Sequence, residues 1–97
     1  MDSFYKQVYE IVGKIPYGKV VSYGQIGWML GRPYSARAVG QAIGHCPNEL
    51  PWHRVVLSDG SIAKSMHADL RNSMLEAEGV PFISDNRVDI AKCRWRE

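Results

Sequence analysis

Residues 22–44 of the chain read SYGQIGWMLGRPYSARAVGQAIG, and this stretch decides the predicted fold. Ser22 and Gln25 have the spacing of a capping box, which predicts that a helix begins at Ser22. The stretch Gly31-Arg32-Pro33 ends this helix, because proline disrupts a helix interior. A second helix is predicted from about residue 35 to residue 44. Two helices joined by a short turn with glycine and proline form a helix-turn-helix pattern.

The second helix of this pair has two different faces. One face is apolar and is predicted to be buried: it comprises Ala36, Val39, Ala42 and Ile43. The other face has members at i, i+3, i+4 and i+7, namely Arg37, Gly40, Gln41 and Gly44. Each glycine inside a helix costs about 1 kcal/mol relative to alanine. The two glycines therefore indicate a close approach, either by a neighbouring helix or by another large molecule.

Further elements are predicted on both sides of the helix pair. A stripe at helical spacing predicts a first helix that ends at Gly13 or at the Ile15-Pro16 step, with the apolar residues Phe4, Val8, Ile11, Val12 and Ile15. Ser58-Asp59-Gly60-Ser61 lies between two apolar stretches and predicts a β-hairpin, which after a helix-turn-helix is a wing. A last helix is predicted from about residue 66 to residue 78, where Gly79 ends it. The expected fold class is α+β: a small winged helix-turn-helix domain, mostly helical, with a short β-hairpin.

Length and composition limit the possible classes of protein. The chain has 97 residues, of which 45% are hydrophobic, so a single globular domain is expected over residues 1–97. Within it, residues 3–80 are the expected core and residues 81–97 a C-terminal tail. The formal net charge is +2, so any binding to nucleic acid depends on a local patch and not on overall charge.

Several kinds of site and location are not supported by the sequence. The two cysteines, Cys46 and Cys93, are far apart and predict neither a disulfide framework nor a zinc site. No residues have metal-ligand spacing and no glycine-rich phosphate loop is present, so no cofactor or metal is expected. The N-terminus has no signal-peptide pattern, and no apolar stretch approaches the roughly 20 residues that cross a membrane. A cytoplasmic protein is therefore expected.

Candidate catalytic chemistry is concentrated at Pro51-Trp52-His53-Arg54-Val55, where polar residues precede an apolar run. His53 and Glu78 are a candidate acid and base, since a carboxylate that holds an imidazole can activate a neighbouring nucleophile. The alternative interpretation is a structural histidine and a surface glutamate at a helix end. Cys46, beside His45, is a candidate thiolate or simply a small loop residue. Trp52 cannot act as a nucleophile.

Two residues of the helix pair are candidates for contact with nucleic acid. Arg37 can project from its bare helix face into nucleic acid, or it is a solvated surface charge. Tyr23, at the start of the preceding helix, can stack against a nucleotide, or it is a core aromatic. The sequence pattern alone leaves both alternatives open.

Four motifs occur in order along the chain: Ile15–Gly24 (IPYGKVVSYG), Ala36–Gly40 (ARAVG), Pro51–Val55 (PWHRV) and Glu78-Gly79. Together they resemble the DNA-binding C-terminal domain of the O6-alkylguanine-DNA alkyltransferases, over roughly residues 3–80. In the third motif those enzymes have Pro-Cys-His-Arg, and the cysteine accepts the alkyl group. This chain has Trp52 at that position, and Pro-Trp-His-Arg is similar to the alkyltransferase-like proteins, which lack the acceptor.

The resemblance implies a role for each matching residue. Arg37 would enter the duplex and fill the gap left by an extruded base, and Tyr23 would rotate the phosphate of the flipped nucleotide. The other implied DNA contacts are a small recognition-helix surface in the minor groove and a wing residue: Ser35, Ala36, Gly40 and Ser58. The implied alkylguanine pocket comprises Tyr23, Pro51, Trp52, His53, Val55, Ser65 and Met66. His53 and Glu78 match the relay that activates the cysteine, here a vestigial one.

The predicted function is non-enzymatic recognition of O6-alkylguanine in double-stranded DNA. A monomer would bind through the minor groove, flip the nucleotide into a pocket floored by Trp52, and mark the lesion for nucleotide excision repair proteins. Unstacking costs a few kcal/mol, and less for a poorly paired base. One alternative is an enzyme with residual alkyl transfer, through Cys46 or a water held by His53. The other is an ordinary helix-turn-helix regulator, although Arg37 and Gln41 stand almost alone as base-reading side chains.

Overall fold

The structure, a computed structural model, describes residues 3–64 and 66–96. Its helices are α1 (Ser3–Val12), α2 (Tyr23–Met29), α3 (Ala36–Gly44), α4 (Ala68–Ala77) and α5 (Ile90–Cys93), with a 3-10 turn at Trp52–Arg54. Its strands are β1 (Val21–Ser22), β2 (Val55–Val56), β3 (Phe82–Ser84) and β4 (Arg87–Val88). The predicted α+β class, mostly helical with a short β-hairpin, is confirmed.

The helix pair α2–α3 forms as its local signals predict. The Ser22 hydroxyl accepts a hydrogen bond of 3.0 Å from the Gln25 amide and so caps α2. The turn between the helices is tight, because a Cβ at Gly27 would lie only 2.7 Å from the Ser35 hydroxyl and 2.8 Å from the Arg32 carbonyl. Glycine at this position therefore sets how closely α3 follows α2.

The first core cluster lies between α1 and α3. The predicted stripe of α1 is buried in full: Phe4, Val8, Ile11 and Val12 on the helix, and Ile15 just after it. On α3 the buried residues are Val39, Ala42 and Ile43. Ala36, which the apolar pattern also placed on the buried face, is exposed instead. Burial on α3 begins only at Val39, so its first turn is left open to solvent.

The hairpin predicted at Ser58–Ser61 is wrong in its place. A turn does form there, since the Leu57 amide donates to the Ser61 carbonyl at 2.9 Å. However, β2 pairs in parallel with β1, with Val21 opposite Val55, and the stretch after the turn pairs elsewhere, since Ser61 forms an antiparallel bridge with Arg87. Among the described residues the antiparallel hairpin is β3–β4. Gly60, at φ +90°, brings the turn against β4, where a Cβ would collide with the Val88 carbonyl.

The C-terminal tail is part of the packed fold. Val88 and Cys93 are 0% and 2% exposed and belong to a second core cluster, together with Val20, Val56, Ile62, Leu75 and Val80. The Trp95 amide donates to the Val20 carbonyl at 2.8 Å, and the Trp95 carbonyl accepts a 2.7 Å bond from the Gln25 side chain. These bonds tie the tail to the residue just before β1 and to α2, the first helix of the helix-turn-helix pair.

The last long helix, α4, differs from its prediction in length and in its buried face. It spans Ala68–Ala77, a shorter range than the expected 66–78, and Glu78 is its C-cap. Its buried residues are Arg71 and Leu75, whereas Leu70 is 50% exposed. Helices α1 and α4 have ten residues each, and no helix in residues 3–64 or 66–96 is long and apolar enough to cross a membrane.

Candidate nucleic-acid interface and base pocket

A buried ionic cluster joins the 3-10 turn to the end of α4. The carboxylate of Glu78 lies 2.6 Å from His53 Nε2. It also accepts bonds from Arg54 Nε at 2.9 Å and from the second terminal nitrogen of Arg54 at 2.8 Å. The backbone amide of Gly18 completes the set at 2.9 Å, and Arg54 donates further to the Ile15 carbonyl at 2.7 Å. The Glu78 carboxylate, at the end of α4, therefore joins this helix to the 3-10 turn and to the loop at residues 15–18.

The ionic cluster holds Glu78 ionised. Burial alone would raise the pKa of this carboxyl group, but bonds from Arg54, Gly18 and His53 outweigh it and lower the pKa to about 2. The Glu78 side chain is 8% exposed, so the alternative of a surface glutamate is excluded. The predicted contact between His53 and Glu78 is present, while its role as a vestigial relay stays a prediction. Arg54, quoted in the motif but not predicted as a site residue, is the main partner of Glu78.

A cavity of about 730 Å³ opens between the C-terminal end of α3, the 3-10 turn and α4. Its described walls are Ile43, Gly44, Cys46, Asn48, Trp52, His67, Leu70, Arg71 and Met74. The rings of His53 and His67 pack near the Trp52 indole in edge-type contacts, with ring centroids 6.3 and 6.2 Å away and interplanar angles of 90° and 63°. The lining is mostly apolar with a few polar groups, a composition typical of sites that bind small molecules or bases.

Of the seven residues predicted for the alkylguanine pocket, Trp52 is in the described wall of the cavity. His53 and Val55 are 4% and 0% exposed and lie in the core, and Pro51 is half-buried beside them. Met66 is 93% exposed. Ser65 lies outside the described residues. The pocket roles predicted for these residues therefore stay predictions, apart from the position of Trp52 in the wall.

Arg71 is the pocket residue that the sequence reasoning missed. It is 7% exposed, and its guanidinium carbon lies 5.1 Å from the centre of the Trp52 ring. One terminal nitrogen donates to the Tyr23 hydroxyl at 2.9 Å, so Tyr23 reaches the pocket through Arg71. The signal was its spacing: Arg71, Leu75 and Glu78 stand at i, i+4 and i+7 on one helix face.

The outer face of α3 is bare and open. Arg37 is exposed, and no residue in the described part of the chain pairs with its side chain. A Cβ built at Gly40 or Gly44 would meet no atom within 4 Å, so no neighbouring helix packs there. The first turn of α3 also lacks a side-chain cap, because the Ser35 hydroxyl donates to the Arg32 carbonyl. Packing within the described fold therefore does not require glycine at these two positions.

The cysteine in the cavity wall is poorly suited to nucleophilic chemistry. Burial and the neighbouring Glu49 raise the pKa of Cys46 to about 11. The thiol is therefore protonated near neutral pH, and the thiolate is the nucleophilic form. Nor do three potential metal ligands come together anywhere in residues 3–64 and 66–96.

Comparison with known proteins identifies the family. A family profile described as "6-O-methylguanine DNA methyltransferase, DNA binding domain" matches residues 3–80. The chain belongs to this family. A protein of Vibrio parahaemolyticus named DNA base-flipping protein is 39% identical, over 99% of each chain. Alkyltransferase-like protein 1 of Schizosaccharomyces pombe is 40% identical, over 99% of this chain and 97% of its own.

Solved structures of the family share the fold. The crystal structure of S. pombe Atl1 in complex with damaged DNA containing O6-carboxymethylguanine has a TM-score of 0.90. Its sequence is 40% identical, and the match covers 100% of this chain and 98% of that one. The family also includes proteins named as enzymes: the rat methylated-DNA–protein-cysteine methyltransferase is 36% identical, over 82% of this chain and 41% of its own. Both base-flipping proteins and methyltransferases are thus relatives of this chain.

Proposed function

We propose that this protein binds O6-alkylguanine in double-stranded DNA and leaves the alkyl group in place. The observation that carries the proposal is the position of Trp52 in the wall of the cavity of about 730 Å³. The chain belongs to a family whose profile describes a DNA-binding domain. The resemblance assigns this position to the alkyl acceptor, and an indole cannot accept an alkyl group as a thiolate does. The S. pombe relative was crystallised with DNA that contains an O6-alkylguanine.

The outer face of α3 is the proposed DNA-binding surface. Ser35, Ala36 and Gly40 would lie against the minor groove, where a small surface permits close contact. The uncapped first turn of α3 favours a phosphate, since helix N-termini carry partial positive charge. Ser58, exposed on the turn after β2, would contact the backbone beside it.

Base flipping is the proposed route into the cavity. Arg37 would refill the stack after the nucleotide leaves, which offsets part of the unstacking cost. Tyr23 would rotate the phosphate of that nucleotide. Arg71 already covers the Trp52 ring at 5.1 Å, so an entering purine would pack against the rest of the indole and the apolar wall. Pro51, His53, Val55 and Met66 are proposed to complete or support this pocket.

The two alternatives have less support. Residual transfer through Cys46 would need a thiolate, and the pKa of Cys46 is raised to about 11. A water held by His53 would have to bind at Nδ1, because Glu78 occupies Nε2 at 2.6 Å; Nδ1 is buried and finds no partner among the described atoms. An ordinary regulator would read bases with several side chains of α3, where Arg37 and Gln41 stand almost alone.

Some features of the proposal stay predictions. These are the monomeric state, the cytoplasmic location and the marking of lesions for nucleotide excision repair proteins. The division into a single domain over residues 1–97, with a core at 3–80 and a tail at 81–97, is likewise proposed. The packing of Val88 and Cys93 supports the inclusion of the tail.

The proposal is tested with two duplexes that differ only in one base, guanine or O6-methylguanine. We expect tighter binding to the modified duplex and an unchanged protein mass after incubation. Equal affinities would refute damage recognition. A mass increase of one methyl group, with conversion of the base to guanine, would show instead that the protein is an enzyme.

Gly40→Ala separates fold stability from DNA contact. The added Cβ has open space, so the free energy of unfolding should rise by about 0.5–1 kcal/mol. Affinity for the modified duplex should fall several-fold, because the methyl group holds α3 away from the groove. Urea unfolding and fluorescence anisotropy measure the two effects. Gln7→Ala, on the exposed side of α1, is the control and should leave affinity unchanged; a stabilised variant with full affinity would remove Gly40 from the interface.

A further inference from the structure

Arg71 is a buried cation in the wall of the cavity. Its exposure is 7%, and no carboxylate in residues 3–64 or 66–96 forms an ion pair with it. The Tyr23 hydroxyl at 2.9 Å and the Val55 carbonyl at 3.4 Å are neutral acceptors. Its Nε is buried and finds no acceptor among the described atoms. Buried charges in proteins are usually paired, so this one indicates a missing anionic partner.

The cavity is where such a partner would bind. Arg71 is part of its wall, and the other described wall residues include no aspartate or glutamate. Trp52 holds the guanidinium group by a cation–π contact on one side. Tyr23, which accepts a hydrogen bond from Arg71, fixes the group from another direction. The positive charge is thus held in place beside an open volume, which limits the reorganisation needed when an anion binds.

We propose that Arg71 makes this pocket selective for guanines whose O6 substituent ends in a carboxylate. This inference rests on the proposed function, because it requires the modified base to enter the cavity. A carboxylate substituent supplies the missing counter-charge, and charge-assisted hydrogen bonds are about twice as strong as neutral ones. An uncharged substituent of the same size offers only the neutral contacts. Arg71 therefore acts as a specificity-determining residue for the alkyl group.

The decisive comparison uses two duplexes with isosteric lesions, O6-carboxymethylguanine and the neutral amide O6-carbamoylmethylguanine. The wild-type protein should bind the carboxylate about tenfold more tightly, at pH 8 to suppress any contribution from protonated histidines. In Arg71→Gln, which keeps a donor for Tyr23 and loses the charge, this ratio should fall close to one. Arg71→Lys keeps the charge and should keep most of the ratio.

Two controls make the outcomes separable. A guanine duplex and an O6-methylguanine duplex are measured alongside. If wild type binds both isosteric lesions equally, and both more tightly than guanine, the inference about Arg71 is overturned while the proposed function stands. If no modified duplex is preferred over guanine, the proposed function itself fails. If Arg71→Gln does not fold, as judged by circular dichroism, the wild-type ratio and the Arg71→Lys ratio still decide: a ratio near one in either overturns the inference.

Discussion

Replacement of Arg37 by alanine is expected to weaken binding to a duplex with O6-methylguanine by about tenfold, which corresponds to about 1.4 kcal/mol. Arg37 is exposed in the first turn of α3, and no described side chain pairs with it. Its removal therefore leaves the fold intact, and any loss of affinity reports a contact with DNA. The proposed contact forms only when the modified nucleotide has left the stack.

The loss of affinity should be compared between the modified and the unmodified duplex, because this comparison distinguishes a residue that refills the base stack from one that contacts a phosphate. A phosphate contact would weaken binding to modified and unmodified duplexes alike, whereas a residue that refills the stack lowers the preference for the modified one. Arg37→Lys keeps the charge but not the planar guanidinium, and should behave like the alanine variant. Lys6→Ala, an exposed cation on α1, is the control for net charge. Unchanged affinity in Arg37→Ala would refute the proposal that Arg37 fills the gap left by the flipped base.

Replacement of Glu78 by glutamine is expected to lower the free energy of unfolding at pH 7 by about 3 kcal/mol. The carboxylate receives bonds from Arg54, His53 and the Gly18 amide, at 2.6 to 2.9 Å for the shortest of each. Glutamine is neutral, so it leaves the Arg54 charge without an anion. The site is nearly closed to solvent, since the Glu78 side chain is 8% exposed. Urea unfolding measures the loss.

Glu76→Gln is the matched control, because Glu76 is exposed on the same helix and should change stability by less than about 0.5 kcal/mol. The two variants should also differ in their dependence on pH. Folding lowers the pKa of Glu78 from 4.5 to about 2, so its contribution is complete above pH 4.5 and is lost as the pH falls towards 2. The stability difference between wild type and Glu78→Gln should shrink over that range. A difference that stays constant would contradict the ionic account.

Much of the fold could be predicted because its signals are local. The Ser22 cap and the apolar stripe of α1 depend on residues within a few positions of each other, and both are present in the structure. The order of four motifs likewise indicated the family that the comparison of residues 3–80 established. In the candidate site, the same motifs named Trp52, which lies in the cavity wall. They also named His53 and Glu78, which the fold brings into contact.

What the sequence determined by itself was therefore helix α1, the helix-turn-helix pair α2–α3, the family and the residue at the acceptor position. Only the tertiary structure decided the partners of distant residues. Val55 pairs with Val21, Ser61 bridges to Arg87, and the antiparallel hairpin of the described residues is β3–β4. Arg71 reaches Tyr23 across 48 positions. Such contacts depend on which strands and charges compete for the same space in the packed core. No local pattern encodes that competition. The spacing of Arg71, Leu75 and Glu78 indicates a shared helix face, but only the fold shows that Arg71 lies against Trp52 and Tyr23.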